Sequence, residues 1–363
     1  MTKKQILRSI AFCLAVCLVM VLLCDLFEQE NYENHSKVFY TYRNYPSDTV
    51  DAVFIGTSGV GCYWIASQAY EDYGMTVYPL TSDALPCWLY INMIEEALKY
   101  QDPQLLLLDI RPFSQSVDDP ATMDADARRV LDSMAFFSAN RVKTALKTME
   151  VMKAVDSEAP AFDISYLLSF VKYHTAWSGG EYSFVNNLGQ EPHSYAGFYA
   201  ADWCSTLVEP QTPIVYDETY TEELDPVAEQ ALYDVLDYIR EKGLNVLFVD
   251  TPQFAEGEKI GRFTQVYRIL EEEGFDYLTF YNPDPEHCFT IDLDPETEFF
   301  NAVHVNYYGA QKFTAALSQY LKTGYDLPDR REDPRVRSCW DGVDEALKEY
   351  IRYLETAAGG TES

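Results

Sequence analysis

Asp51-Ala-Val-Phe-Ile-Gly-Thr-Ser-Gly-Val-Gly-Cys62 is the stretch on which the reading of this chain turns. Residues 52–55 are a short apolar run rich in β-formers, which predicts a buried strand. Gly56, Gly59 and Gly61 then permit a sharp turn and a close approach of backbone to a ligand. Ser58 falls just past the carboxyl end of that strand, where open α/β sheets bind their ligands. A hydroxyl there can point into a crevice, and N–H groups after it can face a developing oxyanion. Taken alone, a Gly/Ser turn after a strand is more often only a turn.

A second segment, near the far end of the chain, offers Ser58 a partner. It reads Glu298-Phe-Phe-Asn-Ala-Val-His304-Val-Asn-Tyr-Tyr-Gly-Ala-Gln-Lys-Phe-Thr314. His304 precedes an amphipathic run over 310–321 that predicts the last helix of a domain. A histidine in such a loop can act as base to a serine from the first strand. Between the two segments, strands over 75–80, 105–111, 244–250 and 276–281 alternate with helices over 63–73, 85–100, 228–242 and 263–274. That alternation predicts a parallel sheet with helices on both faces.

Gly56-Thr57-Ser58 and Asn301-Ala302-Val303-His304 resemble the two end blocks of the SGNH/GDSL hydrolase superfamily. In that family Gly-Asp-Ser carries the nucleophile and Asp-x-x-His the rest of the triad. The resemblance spans roughly 51–321 and is specific only at its two ends. It implies an α/β three-layer sandwich around a central, mostly parallel, flavodoxin-like sheet. It also implies Ser58 as nucleophile, His304 as base and Asn301 at the position of the family's aspartate. The pattern looks like membrane-anchored bacterial members that act on cell-surface polymers. The implied activity is that of an extracytoplasmic serine esterase or O-acyltransferase on acyl esters of envelope polysaccharides or related polymers. The Ser58 N–H and a donor at the second block, here near Ser82, would form the oxyanion hole. The third block's asparagine has no counterpart.

The departure at Asn301 opens a second reading. In serine proteases an Asp-to-Asn change at this place costs about 10⁴ in rate through the wrong histidine tautomer. Cysteine proteases do use Cys-His-Asn, so an amide can orient a histidine. Asp292, Asp294 and Glu298 are neighbouring carboxylates able to take that role. The alternative function is a catalytically weakened protein serving as a binding or assembly factor for envelope-polymer modification.

Asp109 and Arg111 end the apolar run 105–111, so they either bind substrate or shape the loop. Residues 112–223 interrupt the alternation, with helices predicted over 125–155 and 164–173. They are read as a cap inserted over the crevice. His174 and Trp177, in a Tyr-His-x-x-Trp sequence like that of the resembling bacterial proteins, are candidates for a substrate wall; a helix-ending histidine is the plainer reading.

Lys3, Lys4 and Arg8 precede an apolar run over 9–24 with no small-x-small cleavage site after it. The expectation is an uncleaved signal anchor, a single membrane span with the main domain outside the cell. The expected organisation is an anchor (1–27), a stalk (28–48), the catalytic domain (49–325, insert at about 112–223) and a helical tail (326–363). The chain has 363 residues, is 47% hydrophobic and carries a net charge of −31, which suits a packed globular protein and argues against nucleic acid as partner. The expected partners are an acylated envelope glycan or polymer as substrate, the membrane, and an integral-membrane acyltransferase. Cysteines scattered without a paired motif argue against zinc, and the lack of a Gly-x-Gly-x-x-Gly or Walker loop against a nucleotide, so no cofactor is expected.

Overall fold

The computed structural model describes residues 2–27, 33–179, 192–200, 208–212, 220–253, 257–279 and 291–359. The quoted stretch forms strand β1 (Ala52–Gly56). It is followed by β2 (Val77–Thr81), β3 (Leu105–Asp109), β4 (Val246–Val249) and β5 (Tyr277–Leu278). These five form one parallel sheet in the order β2-β1-β3-β4-β5. Every residue of β1 to β4 is buried. Both faces of the sheet are therefore covered, which is why the strands read as unbroken apolar runs rather than as alternation. The strand order reverses direction between β1 and β3, and the crevice at their carboxyl ends is the switch point where such sheets take ligands.

The helices follow the expected order with shifted bounds. The helix predicted from residue 63 starts earlier, as Ser58–Tyr63, and resumes after a break as Ala66–Tyr73. Gly74 ends it in the left-handed region, at φ 73°. Residues 125–155 form two helices, Pro120–Ser133 and Ala139–Val155. Asp119 caps the first and Pro120 occupies its first turn, a start signal outside the predicted range.

Two expected segments are corrected. Of the expected stalk, 28–32 lie outside the described residues, and the remainder is not a stalk: Glu33–Asn44 is a helix whose Val38, Phe39 and Tyr42 lie in the main core. The Tyr42 hydroxyl donates to the Ala97 carbonyl at 2.9 Å, and the Tyr78 hydroxyl to the Val38 carbonyl at 2.8 Å. The Tyr42 and Tyr78 rings supply apolar surface while their hydroxyls find carbonyl acceptors. The tail is likewise part of the domain. Its helices Pro334–Trp340 and Val343–Gly359 bury Trp340, Leu347 and Ile351 in the same core, and Arg330 pairs with Asp51 at the foot of β1.

The Lys3–Leu26 helix is long and apolar enough to cross a membrane, and none of its apolar window is buried in the protein. Its last turn meets the Ser169–Tyr173 helix, where the Ser169 hydroxyl donates to the Cys24 carbonyl at 3.0 Å.

Candidate active site

Ser58 opens the Ser58–Tyr63 helix, directly after β1, and Thr57 caps that helix by accepting from the Gly59 N–H at 3.2 Å. The two nearest glycines are required by close approach. A Cβ at Gly56 would lie 2.5 Å from the Asp109 Cβ, and one at Gly59 would lie 2.9 Å from the Arg111 guanidinium carbon. The ends of β1 and β3 are thus pressed together under the serine.

His304 comes from a two-stranded antiparallel hairpin, β6 (Phe299–Asn301) and β7 (His304–Val305), whose register sets Asn301 opposite His304. Ser58 Oγ lies 2.8 Å from His304 Nε2. Asn301 Oδ1 lies 3.1 Å from His304 Nδ1 and also accepts from the Val303 N–H at 2.9 Å. A backbone N–H can only face the amide oxygen, so Val303 fixes which end of Asn301 meets the ring. Nδ1 then carries the hydrogen and Nε2 offers its lone pair to Ser58. The amide selects the tautomer that a carboxylate would have selected.

It does not supply the carboxylate's charge. The His304 pKa is lowered to about 4, first by burial and then by the Arg111 guanidinium, with Asp83 opposing. None of the neighbouring carboxylates replaces the aspartate. Glu298 accepts from the Asp294 N–H at 2.7 Å and pairs with Lys312 at 2.7 Å. Asp294 caps its own turn through the Glu296 N–H and the Thr297 hydroxyl, and the Asp292 carbonyl accepts from Lys312. These groups brace the hairpin.

Asp109 and Arg111 have different fates. Asp109 is fully buried: one carboxylate oxygen accepts from the Thr57 N–H at 3.2 Å and hydroxyl at 2.7 Å, the other from the Arg111 N–H at 3.0 Å. It holds the serine turn and does not face the cleft, so of its two readings the loop-shaping one stands and the substrate contact is corrected. Arg111 does line the cleft, but its fork donates to the Val303 carbonyl at 3.0 Å and the Thr251 hydroxyl at 2.6 Å. It ties β3, the loop after β4 and the histidine hairpin together.

Ser82 is also corrected. Its N–H donates to the Gly56 carbonyl at 3.1 Å, extending the sheet, and its side chain is buried. Ala84, in the same turn, lines the cleft in the left-handed region at φ 49°. Its N–H makes no hydrogen bond among the described residues. Gln253, which the sequence reading passed over, is 3% exposed and lines the same cleft, and its amide nitrogen is without an acceptor among the described residues. Thr251-Pro252-Gln253 follows the carboxyl end of β4, and the rule that flagged Ser58 would have flagged it. A left-handed alanine has no such signature.

The cleft encloses about 530 Å³. Leu85, Trp88 and Met123 give it apolar wall, and Asp118, Asp119 and Asp126 an acidic rim. The start of the insert thus lines the same cleft as Ser58. Burial foremost, with Asp83 adding, raises the Asp126 pKa to about 6 despite its pairing with Arg129. His174 is not in this cleft. It is exposed, ends the Ser169–Tyr173 helix with Nδ1 2.9 Å from the Val171 carbonyl, and lies beside Phe27. The side chain of Trp177 lies outside the described residues. Compared with known proteins, the chain matches no family model and no curated relative.

Proposed function

We propose that this protein is a serine esterase or O-acyltransferase of the SGNH type, held on the outer face of a cell membrane. One observation carries the reading: Ser58 Oγ stands 2.8 Å from His304 Nε2 while Nδ1 of the same ring is held by Asn301, at the mouth of a cleft. The nucleophile and base come from positions 246 residues apart. A turn with no chemical role needs no such meeting. The likeness of the two end blocks to the SGNH/GDSL superfamily, and a sheet order of the kind that family implies, support it further.

In this reading Ser58 Oγ bonds to an ester carbonyl carbon and its proton passes to His304 Nε2. The carbonyl π pair moves to oxygen, which meets the Ser58 and Ala84 N–H groups and, after a turn about its soft terminal torsion, the Gln253 amide. Collapse breaks the bond to the leaving oxygen, which takes the proton from His304. His304 then deprotonates water, giving hydrolysis, or a sugar or polyol hydroxyl, giving transfer. The acidic rim suits a neutral or cationic ester over an anionic one. Acyl esters of envelope polysaccharides fit a site tethered beside the envelope, and an integral-membrane acyltransferase would be the natural source of acyl groups.

The test is labelling of Ser58 by a fluorophosphonate probe together with turnover of a small acetyl ester. Labelling and turnover that vanish in Ser58→Ala support the reading; an inert wild-type protein ends it. The placement rests on the apolar amino-terminal helix with Lys3, Lys4 and Arg8 on its inner flank. Protease added to intact protoplasts should remove the domain, and protection of the domain would refute that topology. A second reading, a binding or assembly factor, is favoured by the amide in place of a carboxylate and by the Arg111 charge near the imidazole, both of which disfavour imidazolium.

A further inference from the structure

The insert carries a second surface that the chemistry of Ser58 does not use. On the Ala139–Val155 helix, Val142 and Leu146 stand one turn apart and are 44% and 52% exposed. Phe137, just before the helix, is 78% exposed, and Phe162 and Ile164 are 58% and 41% exposed. The adjoining stripe of the same helix is well satisfied: Arg141 pairs with Asp132 at 2.9 Å, and Ala145 and Met149 pack in a small core with Leu131 and Tyr166. The exposed apolar side chains are therefore not the ragged edge of a poorly packed helix.

They are also joined to one another and to the membrane helix. The Asp163 N–H donates to the Met149 sulfur at 3.5 Å, which holds Phe162 and Ile164 against the Ala139–Val155 helix. Arg128 donates to the Ser165 carbonyl at 2.9 Å, and Ser169 donates to the Cys24 carbonyl at 3.0 Å. Arg141, between Phe137 and Leu146, lies near enough to Cys24 for electrostatic contact. The apolar residues thus begin where the Lys3–Leu26 helix would leave the bilayer.

We propose that Phe137, Val142, Leu146, Phe162 and Ile164 insert into the outer leaflet of the bilayer that this helix spans, at the level of the boundary between headgroups and acyl chains. The occupant follows from continuity: a surface touching the exit point of a membrane span meets lipid. Charge does not drive the contact, since the chain carries −31 and anionic headgroups would repel it. Lys143 and Lys147, on the same helix, are already paired with Glu95 and Glu150. The association is apolar and insensitive to salt.

The contact has a consequence for the active site. The Pro120–Ser133 helix runs from the cleft, where Thr122, Met123 and Asp126 line it, to the segment that carries Phe137. Fourteen residues at 1.5 Å each make it a spacer of about 20 Å. Two attachments, the span and the patch, would fix the orientation of the cleft above the lipid, where the span alone leaves it free to swing.

The proposal rests on the amino-terminal helix being a membrane span, and the experiment separates the two. The full chain is placed in bilayers of dioleoylphosphatidylcholine with the photoreactive residue p-benzoylphenylalanine at 137, 142, 146 or 162, and at 353 as control. Tyr353 is 66% exposed and lies on the carboxyl-terminal helix. Flotation with the vesicles is checked first; a chain that does not float loses both the anchor and this proposal. Given flotation, phospholipid adducts at the four patch positions and none at 353 are expected, at low and high salt alike. The combined Phe137→Ser, Val142→Ser and Leu146→Ser substitutions should leave the folded domain intact and remove the adduct at 162. Adducts to a second copy or to another protein, or no lipid adduct at any patch position, would overturn it.

Discussion

The floor of the cleft and the cap above it are built on opposite terms. The floor consists of the ends of β1, β3 and β4, which hydrogen bonds tie to one another. Asp109 spans Thr57 and Arg111, Arg111 spans Val303 and Thr251, and the Tyr63 hydroxyl holds the Pro252 carbonyl. A Cβ would not fit at Gly56 or Gly59. Among the described residues, the insert reaches the cleft with the segment 112–126, lines it with apolar and acidic side chains, and turns other apolar side chains outward. On the proposed reading, the groups that would pass a proton are placed on strand ends and cross-braced. Groups that select a substrate or a location are placed where sequence can change without disturbing the sheet.

If that division holds, the largest losses belong to the floor. Ser58→Ala and His304→Ala should each lower ester turnover by about 10⁴-fold or more, and their combination by little beyond either alone. Thermal unfolding of each should stay close to that of the unsubstituted protein. Steady-state kinetics on a small acetyl ester decides it, and a double variant markedly worse than both singles would mean that the two side chains do not act as a unit.

Asn301→Asp should move activity the other way. The carboxylate would accept from the Val303 N–H and His304 Nδ1 just as the amide oxygen does, and would add the charge that stabilises imidazolium. A gain of about 10³-fold is expected, short of the roughly 10⁴ seen for the analogous pair in a serine protease. Glu298→Gln should leave activity unchanged, because that carboxylate serves Lys312 and Asp294. A fall in Asn301→Asp together with loss in Glu298→Gln would show that Glu298 orients the histidine during turnover.

Gln253→Leu sharpens the comparison at the seam between floor and cap. The donor without an acceptor is lost and the side-chain volume is nearly kept. Turnover should fall about 10²-fold with little change in KM, the pattern of a donor used only in the transition state. Stability should hold or rise slightly, since a buried donor without a partner is itself costly. A change in KM alone would make Gln253 a ground-state contact. Asp126→Asn, on the cap, should change KM by a few-fold and leave kcat in place.

The legible part of this molecule follows the same division. Apolar runs buried on both faces announce β1 and β3, and a hydroxyl just past a strand end announces Ser58. The histidine in the loop before a closing helix was legible for the same reason: the fold leaves few places from which a base can reach that crevice. Ser82 is not legible as a sheet residue, because hydrogen bonding decides whether a turn residue serves the sheet or the cleft; the Gly56 carbonyl takes the Ser82 N–H and leaves that of Ala84. Asp109 ended as a clamp because its carboxylate finds three donors from residues that only the sheet brings near. The Glu33–Asn44 helix is hard to read from sequence because Val38, Phe39 and Tyr42 lie among polar residues, and their burial depends on core residues distant in the chain.

The smallest expected effect is a displacement along the pH axis. With a pKa lowered to about 4, His304 stays a neutral base far below the usual histidine range. The acid limb of kcat/KM should therefore lie near pH 4 and not near 6.5. Stability follows the same sign. Between pH 6.5 and 4 the unfolded chain binds a proton at His304 that the folded one refuses, so this group's contribution is present above 6.5 and lost as pH falls toward 4. Burial is the larger cause and no surface substitution removes it, but the Arg111 charge is separable. Arg111→Gln should carry the acid limb upward by about one pH unit, as the imidazole loses a neighbouring cation while Asp83 remains. It also removes the fork that ties Val303 to Thr251, so turnover should fall at every pH, and the fall alone would be ambiguous. Arg111→Lys resolves this. It keeps the charge and loses the fork, and should share the drop in turnover while its acid limb remains near pH 4. If both variants shift the limb equally, the arginine acts on His304 through the hairpin's position and not through its field.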